Sequence, residues 1–262
     1  NSYIILDDKV AIMDSVDSRK YEEWAVNVEN ALQGRTPDFL VVQHMEPDHA
    51  GTVAVFVEKY PTTKIVASTR AIQMLSDFFE GVDFSDRTIA IKEDDEISLG
   101  AHSLKFFMAP MVHWPEVMMT YDATDKILFS ADAFGTFGAL DGNLFADEVN
   151  FEEEWLADAR RYYCNIVGKY GPQVQNVLAK AATADIQTVC PLHGPVWRKD
   201  LGWIINKYDL WSRYEPEDQG SVMVVYGSIY GGTESAANAL AARISRDGVG
   251  NVAVYDVSKT HV

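Results

Sequence analysis

The stretch Gln43-His44-Met45-Glu46-Pro47-Asp48-His49-Ala50-Gly51 directly follows the apolar run Phe39-Leu40-Val41-Val42. A short apolar, β-branched run bounded by turn residues reads as a buried strand. His44, Glu46, Asp48 and His49, all potential metal ligands, therefore leave the end of one strand together. A lone histidine at a strand end is more often structural than ligating, so the weight lies in what recurs elsewhere. Three more candidates follow, each in a short loop after an apolar run. They are His113 in Val112-His113-Trp114-Pro115-Glu116, Asp132 in Ser130-Ala131-Asp132-Ala133-Phe134 and His193 in Pro191-Leu192-His193-Gly194-Pro195. Loops anchored at strand ends can converge on one point. Seven nitrogen and oxygen donors without a thiolate suffice for two adjacent metal ions sharing one carboxylate. Such a set disfavours iron–sulfur clusters and copper(I) and favours iron, zinc or manganese.

Around this stretch, short apolar runs alternate with helical patterns over the first 210 or so residues. Strands are expected at Ser2–Leu6, Val10–Met13, Phe39–Val42, Lys64–Ala67, Leu104–Ala109, Val117–Tyr121, Ile127–Ser130 and Thr188–Cys190. Helices are expected at Tyr21–Leu32, Ala50–Tyr60, Thr69–Phe79, Phe151–Val167, Pro172–Lys180 and Leu201–Trp211. Together they imply two sheets with helices outside, a layered α/β arrangement, as one domain over residues 1–212. Residues 213–220, Arg-Tyr-Glu-Pro-Glu-Asp-Gln-Gly, are polar and lack periodicity, which marks a linker. A second unit, residues 221–262, then opens with a buried parallel-type strand, Ser221–Tyr226, a glycine and hydroxyl loop, a helix Ser235–Arg246 and a strand Asn251–Asp256. That is a βαβ unit whose loop meets the helix start, where backbone N–H groups favour an anion such as phosphate. The candidate phosphate contacts are Ser228, Ile229, Tyr230, Gly231, Gly232 and Thr233.

The formal net charge of −17 leaves no basic stripe for nucleic acid. No apolar stretch approaches about 18 residues, so no membrane-spanning helix is expected, and the start lacks a secretory signal pattern. Asn1 is not an initiator methionine, so a natural N-terminus is expected to be missing. Cys164 and Cys190 read as small core residues in a reducing, cytoplasmic setting. His102, after Gly100 in a turn, reads as exposed, and His261, beside the terminus, carries no message. Trp114 and Tyr162 or Tyr163 can lie beside the candidate site, whereas Glu116 reads as a structural or rim carboxylate.

The pattern H-x-E-x-D-H at His44–His49, followed at matching gaps by His113, Asp132 and His193, resembles the flavodiiron proteins, or A-type flavoproteins. The resemblance covers the whole chain and implies a metallo-β-lactamase-like αββα sandwich followed by the start of a flavodoxin-like doubly wound domain, with the family cut short at both ends. It implies two irons, one held by His44, Glu46 and His113, the other by Asp48, His49 and His193, with Asp132 bridging. It also implies FMN, whose phosphate the loop at Ser228–Thr233 would hold; Gly232 stands where the family often has Asn. The implied activity is reduction of O2 to water or of NO to N2O. The implied donor is rubredoxin or a similar small carrier, and the implied assembly a head-to-tail homodimer or dimer of dimers. Because the chain carries only the first part of the flavin domain, FMN is expected to bind weakly or not at all.

Two other readings compete. Hydrolases on this fold usually carry His where this chain has Glu46, and are commonly zinc enzymes; a carboxylate there adds a hard anionic ligand that favours iron. A non-catalytic electron-transfer module built around the second unit would make the seven ligands dispensable, and their complete presence argues against it.

Overall fold

A computed structural model describes residues 1–260 of the chain; His261 lies outside them. The chain divides into two compact units, Asn1–Tyr214 and a second that begins at Glu215.

The first half of unit one runs β1 (Tyr3–Leu6), β2 (Val10–Met13), α1 (Tyr21–Leu32), β3 (Phe39–Val42), α2 (Pro47–Ala50), α3 (Val53–Lys59), β4 (Lys64–Ser68), α4 (Thr69–Phe78) and β5 (Thr88–Ile91). The second half runs β6 (Glu96–Ser98), β7 (Ser103–Met108), β8 (Met118–Asp122), β9 (Ile127–Phe129), α5 (Phe151–Glu154), α6 (Leu156–Ile166), α7 (Gly171–Ala181), β10 (Thr188–Cys190) and α8 (Leu201–Ser212). Each half builds one five-stranded sheet, in the orders β1-β2-β3-β4-β5 and β10-β9-β8-β7-β6. The first is parallel from β2 to β5; in the second only β9 and β10 run parallel.

Three apolar layers show how the sheets stack. Side chains alternate faces along a strand: Leu40 and Val42 join α1, α3 and α4 in an outer layer built on Trp24, Phe56 and Leu75. Val41 between them faces the other way and meets Phe106, Met118 and Phe129 of the second sheet. Met119, next to Met118, turns outward again onto Tyr163 of α6 and Tyr208 of α8. The order is thus helices, sheet, sheet, helices. Strands covered on both faces read as continuous apolar runs, which is why the Phe39–Val42 pattern was informative.

The chain departs from the sequence reading in several places. The helix expected at Ala50–Tyr60 is interrupted: α2 ends at Ala50 and α3 starts at Val53, with Thr52 between them leaving helical geometry at φ −114° and ψ 7°. The helix expected at Phe151–Val167 is broken at Trp155, whose φ and ψ are −122° and −23°. Strands β5 and β6 had no counterpart among the expected strands: both are sheet-edge strands and β6 is only Glu-Ile-Ser. Cys190 is buried as expected, but Cys164 is exposed. It lies just off the buried Leu156–Ala159–Tyr163 stripe of α6 and so turns toward solvent.

Unit two pairs β11 (Ser221–Tyr226) in parallel with β12 (Asn251–Asp256), joined by α9 (Gly232–Arg246). The helix begins three residues earlier than the sequence reading placed it, inside the glycine loop. No helix among the described residues is long and apolar enough to cross a membrane.

Candidate metal centre

The loops after β3, β7, β9 and β10 meet at one end of the sandwich. β3 delivers His44, and Pro47 at the first turn of α2 carries Asp48 and His49 back toward it. The loop between β7 and β8 brings His113, the turn after β9 brings Asp132, and the turn after β10 brings His193. All seven sequence candidates arrive. Ligand atoms of His44, Glu46, His113 and Asp132 lie within 4.8 Å of one another, and those of Asp48, His49 and His193 form a second such group.

All four histidines aim Nε2 inward. His44 Nε2 is 3.1 Å from His113 Nε2 and 3.2 Å from Glu46 Oε2. His113 Nε2 is 3.0 Å from that same Glu46 oxygen. His49 Nε2 is 3.0 Å from His193 Nε2, and both lie within 3.3 Å of Asp48 Oδ2. Asp132 divides its oxygens between the groups. Oδ2 is 3.0 Å from His113 Nε2 and 3.3 Å from His44 Nε2, and Oδ1 is 3.1 Å from His49 Nε2 and 3.6 Å from His193 Nε2. Neighbouring donors bound at about 2.1 Å to one ion stand about 3.0 Å apart, so these spacings are those of a coordination shell. Asp132 Oδ1 and Asp48 Oδ1 are buried and find no hydrogen bond among the described residues. A buried carboxylate oxygen left without a donor is costly, and a cation removes that cost. The donor set thus fits two hard or borderline divalent ions sharing Asp132.

The charges agree with the geometry. Burial opposes protonation of His44, but Asp132, Glu116 and Glu46 outweigh it and hold its pKa well above the ordinary value. His113 follows the same balance, with Asp132 and Glu46 overcoming burial. Burial pushes Asp132 upward, yet His113, His44 and His49 bring it well below the usual carboxylate range. His113 and His44 lower Glu46 to about 2. Burial also pushes Asp48 upward, and His193 and His49 more than reverse it.

Outer contacts fix the loops. Asp14, fully buried after β2, accepts from the amides of Gln43 (2.8 Å) and His44 (3.3 Å) and from Gln43 Nε2 (2.9 Å). Ser15 donates to the His49 carbonyl from both Oγ and backbone N. Asn1 Nδ2 donates to the carbonyls of Pro191 and Gly194, flanking His193. Gly194 has φ +77°, and a Cβ there would meet Thr136 Cγ2 at 2.4 Å. Glu116 is fully buried, not at the rim, and its Oε1 lies 2.8 Å from His44 Nδ1. Trp114 stands edge-on to His44 with ring centroids 5.2 Å apart. Of the tyrosine pair, Tyr162 lies beside the centre, 5.8 Å from His193 between centroids, while Tyr163 packs against Tyr208 and Trp211. The Tyr162 hydroxyl is buried without a hydrogen bond.

Sequence reasoning missed Asp14. A charged residue closing the buried run Val10–Met13 was a signal that it needs internal partners. His102 was expected to be exposed, but it is half-buried and pairs through Nδ1 with Asp122 Oδ2 at 2.7 Å, bracing two turns. The glycine loop of unit two is open: Ile229 and Tyr230 are 89% and 97% exposed. Ser228 Oγ accepts from Gly231 N at 3.0 Å, Gly231 has φ +82°, and no side chain caps the start of α9, where Gly232 and Thr233 lie.

Residues 1–194 match the family model described as ODP family beta lactamase. The anaerobic nitric oxide reductase flavorubredoxin of Vibrio vulnificus is 34% identical over 265 residues, covering 99% of this chain and 52% of that one. The flavodiiron protein of Giardia intestinalis superposes with a TM-score of 0.90 at 29% identity, covering 99% of this chain and 62% of that one. Rubredoxin oxygen:oxidoreductase of Desulfovibrio gigas gives 0.90 at 27% identity, covering all of this chain and 64% of that one. The chain spans between about half and two thirds of the length of the curated relatives it matches, 64%, 52% and 59% for three of them. With the αββα sandwich and seven convergent donors already in place, these matches settle the relationship: the chain belongs to the ODP family of β-lactamase-like proteins, among the flavodiiron proteins.

Proposed function

We propose that residues 1–212 hold two irons and reduce O2 to water, NO to N2O, or both, with electrons arriving through FMN. His44, Glu46 and His113 hold one iron, Asp48, His49 and His193 the other, and Asp132 joins them. The observation that carries this reading is the divided carboxylate of Asp132, with Oδ2 beside His113 and His44 and Oδ1 beside His49 and His193. When bound, the ion pair supplies two adjacent reducing centres that can take a small molecule between them.

The remaining chemistry belongs to the chain. Glu46 adds an anionic oxygen to its half of the centre, which favours iron over zinc. Tyr162 is held neutral: burial, then the charges of Asp132, Tyr208, Glu46 and Asp48, push its pKa well up. Its unpartnered hydroxyl therefore keeps its proton and can offer a hydrogen bond to a substrate oxygen at the centre. Trp114 covers the His44 side. In unit two, the linker 213–220 leads into the first part, residues 221–262, of an FMN-binding domain. There the amides at the start of α9, with Ser228, Ile229, Tyr230, Gly231, Gly232 and Thr233, take the FMN phosphate. Rubredoxin or a similar small carrier is the donor, a cytoplasmic head-to-tail homodimer or dimer of dimers the working assembly.

Zinc hydrolysis is the weaker reading, because Glu46 stands where such enzymes usually carry His and the named relatives are reductases. Elemental analysis of anaerobically prepared protein decides between them. Two irons per chain, with O2 or NO consumed on addition of reduced FMN, support the proposal. Zinc retained in iron-rich medium, without gas consumption, overturns it.

A further inference from the structure

Glu116 lies on the loop between β7 and β8 that carries His113, yet it reaches the loop after β3. Its Oε1 lies 2.8 Å from His44 Nδ1 and accepts from Met45 N at 2.9 Å. Its own backbone carbonyl accepts from Ser68 Oγ at 2.7 Å. The carboxylate is fully buried, and Oε2 has no hydrogen bond among the described residues. A buried carboxylate with one free oxygen leans on the few donors it does meet. Among the described residues no lysine or arginine forms an ion pair with it, and its side-chain partner is His44.

Resting on the two-metal reading above, we propose that Glu116 is a positioning residue that makes the two halves of the centre unequal. By taking the Nδ1 proton of His44 in a hydrogen bond, it fixes the tautomer in which Nε2 carries a free lone pair. It also locks the ring plane and strengthens Nε2 as a donor. The first half therefore contains a histidine backed by a carboxylate. Among the described residues, His49, His113 and His193 have no carboxylate at Nδ1; their acidic neighbours all face Nε2. The ion held by His44, Glu46 and His113 thus depends on Glu116, and the ion held by Asp48, His49 and His193 does not.

The test is cobalt(II) titration of the metal-free 262-residue chain, read by visible ligand-field absorption, with melting temperature measured alongside. The wild type binds two ions. Glu116→Ala is expected to weaken one of them about 10–100-fold and leave the other unchanged. Glu116→Gln, which keeps the volume and an acceptor oxygen, gives a smaller loss confined to the same ion, and it decides the matter should the alanine variant not fold. Two ions bound as tightly as in the wild type by both variants overturn the proposal. So does equal weakening of both ions in Glu116→Gln, which assigns the residue a merely structural part. A wild type that binds fewer than two ions is a different failure, and it strikes the two-metal reading instead.

Discussion

In the metal pocket, side chains make the site: seven of them converge, and most lie at or below the surface on loops pinned by Asp14, Ser15 and Glu116. In the loop Gly227–Thr233, the proposed phosphate site, the backbone would do the binding through the amides at the start of α9, while Ile229 and Tyr230 are exposed. A side-chain site is specified by residue identity and is lost residue by residue. A backbone site is specified by conformation, tolerates most side chains, and is tuned only where the chain needs an unusual φ. Substitutions in the pocket should therefore cost far more than substitutions in the loop.

The largest effect is expected at Asp132, which alone serves both halves. Asp132→Asn keeps the shape and removes the charge that balances His113, His44 and His49. Metal content should fall below one ion per chain, and gas consumption should drop at least about 100-fold. Two tightly held irons in this variant would show that Asp132 is not the shared ligand.

Next is Tyr162. Its hydroxyl touches no ligand by hydrogen bond, so Tyr162→Phe should keep both ions while turnover falls about 10-fold, as loss of one hydrogen bond of roughly 1–1.5 kcal/mol to the reacting molecule implies. An unchanged rate, measured with the metal content verified, removes Tyr162 from the chemistry and leaves it a packing residue against Phe137.

The same two regions explain how much the sequence disclosed. Metal ligands need particular elements, so His44, Glu46, Asp48, His49, His113, Asp132 and His193 stood out before any fold was known. The contacts that aim them did not. Glu116 was visible as an acid beside Pro115, but nothing in the linear order says that it crosses to His44 rather than serving His113, three residues away. Asp14 does not stand out in the sequence, because one acid after a strand is ordinary until its burial is known. The layering was legible because β3, β4 and β8 are covered on both faces and their runs are unbroken. β5 and β6 were not, since short edge strands carry little periodicity.

A third effect is smaller and depends on pH. In the metal-free chain, the raised pKa values of His44 and His113 give stabilisation that is fully present below about pH 6.5. It is lost as pH rises through their raised values. Glu46 and Asp132 act oppositely: their contribution is present above about pH 4. It is lost as pH falls, for Glu46 through about 2. Metal must displace the histidine protons, so affinity should rise with pH below those raised values, by roughly tenfold per unit for each proton released. Cobalt(II) titration at several pH values checks this, and a flat profile would mean that the histidines are neutral before metal arrives. The glycine loop has no histidine and should show no such dependence.

The smallest effects come from one glycine in each region, and they set the comparison on equal terms. Gly194 and Gly231 both adopt left-handed backbone, φ +77° and +82°. Alanine at either position carries the conformational penalty of about 1–2 kcal/mol. At Gly231 nothing lies within 4 Å of the added Cβ, so that penalty is the whole cost. At Gly194 the Cβ would stand 2.4 Å from Thr136 Cγ2, beside His193, and the turn must also shift. Gly194→Ala should therefore lower both the melting temperature and metal affinity. Gly231→Ala should leave metal binding untouched and act only on phosphate recognition. Flavin fluorescence quenching measures that: any preference for FMN over riboflavin reports the loop, and the variant should shrink it by about fivefold or more, as 1–2 kcal/mol requires. Equal losses at the two glycines in metal binding would refute the expectation that each glycine acts on its own function.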